Sequence, residues 1–222
     1  MTPEPRLVEV RKNVLKQNDL VARELRRRFQ EADVFVASLV SSPGAGKTTL
    51  LERTLTHLQA TYRVAALVGD LATDNDAARL ARSGAGVRQI TTGTVCHLEA
   101  AMVRDALEGW DLRQLDFLFL ENVGNLVCPA AYDLGEALRF VVISVTEGED
   151  KPLKYPTIFN TADVALITKI DLAEAVEYDL ATALGNVQAV RPGMPALCLS
   201  AKTGQGLSEY LGLLEERRLH CR

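Results

Sequence analysis

A glycine-rich segment with one lysine and two threonines carries the clearest chemistry in this sequence. Residues 41–49 read Ser-Ser-Pro-Gly-Ala-Gly-Lys-Thr-Thr and lie between an apolar run at 34–40 and a helix-like pattern. Glycines let backbone N–H groups close around phosphate oxygens, a lysine reaches the terminal phosphates, and a hydroxyl holds Mg²⁺. Ser41 stands where such segments usually begin with glycine, but two later glycines still precede the lysine. The segment predicts a nucleoside triphosphate site formed by Gly44, Ala45, Gly46, Lys47, Thr48 and Thr49.

Two segments near the far end of the chain resemble the guanine-recognition motifs of GTPases. Residues 168–171 read Thr-Lys-Ile-Asp, and residues 200–202 read Ser-Ala-Lys. The resemblance implies that Asp171 accepts two hydrogen bonds from guanine, which adenine cannot supply, while the Lys169 stem lies over the ring. Thr168 replaces the usual asparagine, whose amide braces this loop, and can brace it only in part. The residues implied in binding the base of GTP or GDP are Lys169, Asp171, Ser200, Ala201 and Lys202.

Carboxylates at the ends of two predicted strands are candidates for Mg²⁺ binding and hydrolysis. Residues 70–76 place three aspartates directly after an apolar run, where their charges repel one another unless a cation offsets them. Glu121 also follows an apolar run directly, and the carboxyl end of such a strand faces the ligand crevice of an open α/β sheet. We predict Thr48, Asp76 and Glu121 as the Mg²⁺ shell, directly or through water. Asp70 would aim the attacking water, unless these acids are only solvated loop ends. The predicted catalytic set is Lys47, Asp70, Asp76 and Glu121.

Two cysteines and a histidine form a second candidate metal site. Cys96 and His97 are adjacent, and Cys128 follows the glutamate segment. Thiolate and imidazole are ligands that Zn²⁺ and Ni²⁺ prefer. Three ligands do not complete a structural zinc site, so the group would keep an open position or face a second copy across a two-fold axis. The alternative is that both cysteines are ordinary buried side chains.

Composition limits the fold and the partners. With 222 residues, 47% of them hydrophobic, the chain has ample material for one well-buried core and too little for two large domains. We expect one GTPase domain over residues 1–222 with an N-terminal helical extension at about 1–31. A formal net charge of −4 gives no general attraction to nucleic acid or anionic membrane. We see no secretory leader or membrane-spanning run, so the predicted location is the cytoplasm. Four cysteines favour free thiols or metal ligands over a disulfide framework.

Apolar, β-rich runs alternate with helical patterns along the chain, which predicts an α/β fold of the P-loop NTPase type. Such alternation indicates a mainly parallel sheet with helices on both faces. Residues 7–29 are mostly charged, with apolar residues at a helix-like spacing, which predicts one or two surface helices before the first strand. The predicted strands lie at residues 34–40, 64–68, 117–120, 140–145, 164–167 and 196–199.

Five segments taken together resemble HypB, a family of hydrogenase-maturation GTPases. They read SSPGAGKTTL, GDLATDNDA, GTVCHL, ENVGNLVCP and EGEDKPLKYP, and the match covers about residues 34–214. The resemblance implies a SIMIBI-class GTPase that helps deliver nickel to the large subunit of [NiFe]-hydrogenase, together with an accessory nickel-insertion protein. It also implies a homodimer that GTP favours. The implied ligands of Ni²⁺ or Zn²⁺ at the subunit interface are Cys96, His97 and Cys128.

Other functions stay open on the residues alone. They are a urease-type nickel-delivery GTPase, a P-loop small-molecule kinase, and a nickel-storage or scaffold protein in which the nucleotide only locks a dimer. Some relatives store nickel on an N-terminal cysteine motif or histidine-rich tract, but no Cys or His precedes His57 here, so we expect no such store. We exclude His57, Cys198 and the tail pair His220-Cys221 from the functional site because they lie in a helix pattern, a strand pattern and a terminal tail.

The spacing of the two candidate sites suggests that they are coupled. The segment that would sense the γ-phosphate through Glu121 continues to Cys128, and residues 70–76 lead to Cys96 through one connecting stretch. Nucleotide state would then change the geometry of the metal ligands. We also expect slow intrinsic hydrolysis, because the switch-like segments contain no convincing arginine finger.

Overall fold

Parallel strands form a seven-stranded sheet in the computed structural model, which describes residues 6–71 and 75–220. The strands are β1 Phe35–Ser41, β2 Val64–Asp70, β3 Gly86–Thr91, β4 Phe117–Glu121, β5 Leu138–Ser144, β6 Val164–Thr168 and β7 Ala196–Cys198. Their order across the sheet is β3-β2-β4-β1-β5-β6-β7. The order of the strands reverses beside β1, and open α/β sheets bind ligands at the carboxyl ends of strands at such a point.

Helices cover both faces of this sheet. They are α1 Arg6–Glu31, α2 Lys47–Leu58, α3 Asn75–Ala81, α4 Ala100–Ala106, α5 Lys151–Lys154, α6 Pro156–Thr161, α7 Leu180–Val190 and α8 Leu207–His220. Short 3-10 helices lie at Leu112–Gln114, Cys128–Ala131, Val145–Glu147 and Ile170–Leu172. No helix in the described part of the chain is both long and apolar enough to cross a lipid bilayer. The predicted α/β class, with a parallel sheet between two helical layers, is confirmed.

One strand, β3, was not expected from the sequence. It lies at the edge of the sheet and pairs only with β2 in the described structure. Most of its side chains are half-buried or exposed, and it carries Arg88 and Gln89 in its centre. An edge strand can stay partly solvated, so it lacks the continuous apolar run that marks the buried strands.

Alternate residues of β4 belong to different helical layers. Phe117 and Phe119 pack in the core cluster that includes residues of α2 and α8. Leu118 and Leu120 pack in the cluster that includes residues of α1 and α4. Side chains of a strand alternate between faces. The last residue of β4, Glu121, is therefore directed toward the α2 layer.

The N-terminal segment forms one continuous helix, α1, which packs against α4. Leu25 and Phe29 of this helix are almost fully buried, and each such side chain contributes about 2 kcal/mol to stability. Arg26 donates two hydrogen bonds to Asp133, at 2.7 and 2.9 Å, and Asn18 is buried. The helix is therefore attached to the rest of the fold by polar contacts as well as by apolar packing.

Candidate nucleotide and metal sites

The phosphate loop joins β1 to α2 at the centre of the sheet. Gly44 and Gly46 have φ angles of 76° and 94°, in the left-handed region that glycine adopts without strain. Lys47 is buried, and its ammonium donates to the Ser41 hydroxyl at 2.7 Å. Burial lowers the pKa of Lys47, and the negative charge of Glu121 opposes this effect. Ser41, which replaces the usual glycine, therefore gives the buried lysine a hydrogen-bond partner.

A cavity of about 500 Å³ opens above this loop, at the carboxyl ends of the central strands. It brings together the predicted phosphate, magnesium and water-positioning residues, which come from three separate parts of the chain. Those that line it are Gly44, Gly46, Lys47, Thr48, Thr49, Asp70, Asp76 and Glu121. A polyphosphate bound by the loop would lie among these side chains.

Glu121 is the buried carboxylate of this cavity. It is 2% exposed, and the Thr48 hydroxyl donates to its Oε1 at 2.6 Å. Within the described structure, its Oε2 has no hydrogen-bond partner. Burial raises the pKa of Glu121 to about 7, although the Lys47 ammonium and the Thr48 hydrogen bond act in the opposite direction. An unpartnered, buried carboxylate oxygen beside a threonine hydroxyl fits a divalent cation with oxygen ligands, such as Mg²⁺.

An arginine that sequence analysis missed also lines this cavity. Arg79 lies in α3 and donates to Glu52 Oε2 at 2.8 Å and to Thr49 Oγ1 at 3.0 Å. Its signal in the sequence was weak because it lies beyond residues 70–76, where the predicted switch acids end. The structure therefore adds one positive charge to the predicted phosphate environment.

A second cavity, of about 290 Å³, contains the predicted guanine residues. Lys169, Asp171, Ser200, Ala201 and Lys202 line it together with Gly46 and Thr49 of the phosphate loop. The Ser200 hydroxyl donates to Asp171 Oδ1 at 2.6 Å, which fixes the orientation of the carboxylate. The Lys169 ammonium donates to Gly44 O at 2.7 Å. The two cavities share Lys169 and residues of the phosphate loop, as a single nucleotide requires.

Thr168 joins the guanine segment to the phosphate loop. It is 3% exposed, and its hydroxyl oxygen lies 2.6 Å from Ala45 O and 3.0 Å from Ile143 O. A hydroxyl has one hydrogen, so we assign the donated bond to the nearer Ala45 carbonyl. Threonine thus makes a bracing contact at the position where asparagine is usual.

The structure brings together Cys96, His97 and Cys128, the three predicted metal ligands, into one Cys-His-Cys group. The two Sγ atoms are 2.9 Å apart, and one ligand atom from each residue lies within 4.8 Å of the others. His97 is 8% exposed, and neither of its ring nitrogens has a hydrogen-bond partner in the described structure, although Nε2 lies 3.5 Å from Glu99 Oε1. Burial lowers the pKa of His97, which favours the neutral imidazole that binds metal. These features suit a metal ion that binds thiolate and imidazole ligands.

Packing orients the histidine of this group. The His97 ring lies against the Tyr132 ring, with the centroids 3.9 Å apart and the planes tilted by 37°. Tyr132 follows the 3-10 helix Cys128–Ala131, so the two segments that carry the candidate metal ligands contact each other. No residue pattern in the sequence indicates this contact. We call these segments, residues 92–98 and 122–132, the metal-bearing segments.

The excluded residues lie elsewhere. His57 is exposed on α2, and Cys198 is half-buried in β7, where burial raises the pKa of its thiol. His220 is the last residue of α8, with Nδ1 2.7 Å from Glu216 O. Cys221 lies outside the described residues.

A phosphate loop at the strand-order reversal of a parallel sheet, with a carboxylate at the end of the neighbouring strand, defines a P-loop nucleotide-binding protein. Residues 35–197 match the family described as "CobW/HypB/UreG, nucleotide-binding domain". A hydrogenase maturation factor HypB from Rhizobium leguminosarum bv. viciae is 47% identical over 210 residues, which cover 95% of this chain and 70% of the relative. The chain therefore belongs to the CobW/HypB/UreG family and, within it, to the HypB proteins.

Two solved structures have the same fold. A crystal structure of HypB from Helicobacter pylori in complex with nickel is similar with a TM-score of 0.87 and 39% identity, over 92% of this chain and 96% of the other. HypB from Archaeoglobus fulgidus is similar with a TM-score of 0.85 and 35% identity, over 91% and 99% of the two chains.

Proposed function

We propose that this protein is a GTPase that carries nickel and assists its insertion into the large subunit of a [NiFe]-hydrogenase. The observation that carries the proposal is the Cys-His-Cys group, whose ligand atoms lie within 4.8 Å of one another. The segment that leads to Cys128 starts at the nucleotide cavity, and the segment that leads to Cys96 donates backbone hydrogen bonds to Asp70 and Leu71, which line that cavity. The name of the R. leguminosarum relative and the nickel complex of the H. pylori protein support this assignment.

Guanine selection rests on Asp171. The Ser200 hydroxyl uses one lone pair of Oδ1, so the two carboxylate oxygens can together still accept from the N1 and N2 groups of guanine. The Ala201 backbone N–H donates to O6, and the stems of Lys169 and Lys202 lie along the base. Adenine would place an acceptor and no 2-amino group against the carboxylate, so GTP and GDP are the preferred ligands.

Hydrolysis rests on residues of the phosphate cavity. Lys47 leaves Ser41 to contact the terminal phosphates, because a phosphate oxygen is a stronger acceptor than a hydroxyl. Thr48, Asp76 and Glu121 would hold Mg²⁺, directly or through water, and Asp70 would orient the attacking water. When bound, Mg²⁺ supplies positive charge that offsets the charge on the phosphate oxygens as the terminal group is transferred.

The metal group is suited to transfer. Cys96, His97 and Cys128 supply three ligands, so a bound Ni²⁺ or Zn²⁺ keeps a position for a ligand from outside. We assign that position to a second copy of the chain in a homodimer favoured by GTP, or to the accessory nickel-insertion protein. Residues 1–222 act in this assignment as one GTPase domain with a helical extension at about 1–31, and the cytoplasm is the proposed location.

Multiple-turnover GTP hydrolysis, measured together with Ni²⁺ titration, tests the proposal. Lys47→Ala should abolish hydrolysis and retain Ni²⁺, whereas Cys96→Ala/Cys128→Ala should lose Ni²⁺ and retain GDP binding. Cys198→Ala is the matched control, because this cysteine lies outside the group and should affect neither property.

Two of the rival functions, the storage or scaffold protein and the kinase, predict different results. Undiminished Ni²⁺ binding in the double variant would refute the metal site. Binding of GTP without turnover would indicate a storage or scaffold protein, and phosphate transfer to a small-molecule acceptor would indicate a kinase.

A further inference from the structure

Glu121 ends β4 and lies in the nucleotide site, and the next residue, Asn122, contacts the segment that carries His97. The Glu121 side chain lies in the nucleotide cavity, where it accepts from Thr48. The Asn122 side chain accepts from the backbone N–H of Leu98, the residue after His97. Since neighbouring side chains of an extended strand point to opposite faces, one peptide unit separates a group at the nucleotide site from a group at the metal site.

A single oxygen atom of Asn122 accepts a hydrogen bond from a backbone N–H of each metal-bearing segment. Its Oδ1 accepts from Leu98 N at 2.9 Å and from Val123 N at 2.9 Å, on the segment that leads to Cys128. The residue is 2% exposed, and its own N–H continues the sheet by donating to Leu39 O at 3.0 Å. A shift of this oxygen therefore changes the position of one segment relative to the other.

Leu98 has little freedom to move independently. Its side chain is fully buried, and a Cβ at Gly69 would lie only 2.7 Å from Leu98 Cδ2. Gly69 directly precedes Asp70, a predicted water-positioning residue. The segment that carries His97 is thus held between the end of β2 and the Asn122 side chain, and Gly69 and Asn122 are among the residues that line the nucleotide cavity.

We infer that Asn122 is a positioning residue that transmits nucleotide state to the Cys-His-Cys group. A change in the position of the Glu121 side chain, when the nucleotide site is filled, would turn the peptide between Glu121 and Asn122. The shared Oδ1 acceptor moves with it, and the register of the two metal-bearing segments changes. This inference rests on the proposed function, and it names the route by which the two sites of that function communicate.

A second buried asparagine provides a matched control. Asn18 of α1 donates from Nδ2 to Asp133 O at 2.8 Å and accepts at Oδ1 from Ala100 N at 2.8 Å. It therefore joins the same two stretches of chain from the other side. Unlike Asn122, it is not among the residues that line the nucleotide cavity.

The test is the ratio of the Ni²⁺ dissociation constants in two nucleotide states of the full chain. Ni²⁺ is titrated against a competing chelator, once with Mg²⁺ and GDP and once with Mg²⁺ and a non-hydrolysable GTP analogue. For the wild type we expect the two constants to differ by about 5-fold to 150-fold, the usual range of coupling between sites. Asn122→Ala should bring the ratio to about one. Asn18→Ala should change both constants by the same factor and keep the ratio.

Asn122→Ser guards against a folding defect in the alanine variant. The serine oxygen is one bond closer to the backbone than the asparagine oxygen, so it can still accept from the neighbouring Val123 N–H but does not reach Leu98. The ratio of the two dissociation constants should therefore also be about one in this variant. A wild-type ratio in a folded Asn122 variant would overturn the inference. A ratio of one in the wild type would also overturn it, while Ni²⁺ binding that depends on Cys96 would leave the proposed metal site intact.

Discussion

Glu121→Gln is expected to stabilise the ligand-free protein at alkaline pH and to have little effect on its stability at acidic pH. The reason is the burial of this carboxyl group, which raises its pKa from 4.5 to about 7 in the folded protein. The protonated form is therefore favoured by folding, and glutamine imitates it at every pH. Glutamine also keeps an oxygen that can accept from the Thr48 hydroxyl.

The size of the effect follows from the difference between the two pKa values. A pKa that rises from 4.5 to about 7 corresponds to about 3 kcal/mol. Because the folded-state pKa is the higher one, this stability is fully present below 4.5 and is lost as the pH rises through about 7. Between about pH 5 and about pH 8, the wild type should lose about 2.5 kcal/mol that the Glu121→Gln variant keeps.

Urea unfolding across this pH range, without nucleotide and with metals chelated, gives the required free energies of unfolding. Glu31→Gln removes a carboxylate at the exposed end of α1 and controls for the loss of charge. If the free-energy difference between the Glu121→Gln variant and the wild type stays constant with pH, burial does not set the pKa of Glu121 and the reasoning is wrong.

Three further predictions concern the base, the loops and the core. Asp171→Asn should weaken GDP binding by about 10-fold to 100-fold, since it removes a charged acceptor, and a titration with fluorescent GDP measures this loss. Thr168→Val should also weaken GDP binding in that titration because it removes the hydroxyl that contacts the phosphate loop, whereas Thr168→Ser should not; equal affinities of the two variants would contradict the bracing role. Gly69→Ala places a methyl group 2.7 Å from Leu98 Cδ2 and should lower the free energy of unfolding by about 1–3 kcal/mol, measured by urea unfolding. Gly212→Ala, which meets nothing within 4 Å, should not destabilise the protein.

The buried strands and the phosphate loop are predictable because their signals are local. Each central strand is mostly apolar and is buried along its whole length, and the loop residues are consecutive in the chain. β3 lacks this signal because an edge strand can carry polar residues such as Arg88 and Gln89. The fold class is therefore readable from the sequence, while the edge strand β3 is not.

The contacts that orient the site residues are less predictable because they join distant parts of the chain. The hydrogen bonds of Asn18 link residues 82 and 115 positions apart. The stacking of His97 on Tyr132 likewise depends on how two loops meet. The sequence identifies candidate ligands by residue type, but only the three-dimensional packing reveals which side chains hold them in place.

The alternation along β4 has a consequence for the insertions and deletions that the chain can tolerate. Phe117 through Glu121 are placed one by one on opposite faces, and Asn122 continues that alternation into the following segment. Removal of one residue within the strand would turn every following side chain to the other face. The carboxylate would then enter the apolar layer under α1, and the amide would enter the phosphate cavity. We therefore expect length variation among functional homologues to fall outside this strand, in the connecting segments, where no alternating pattern is interrupted.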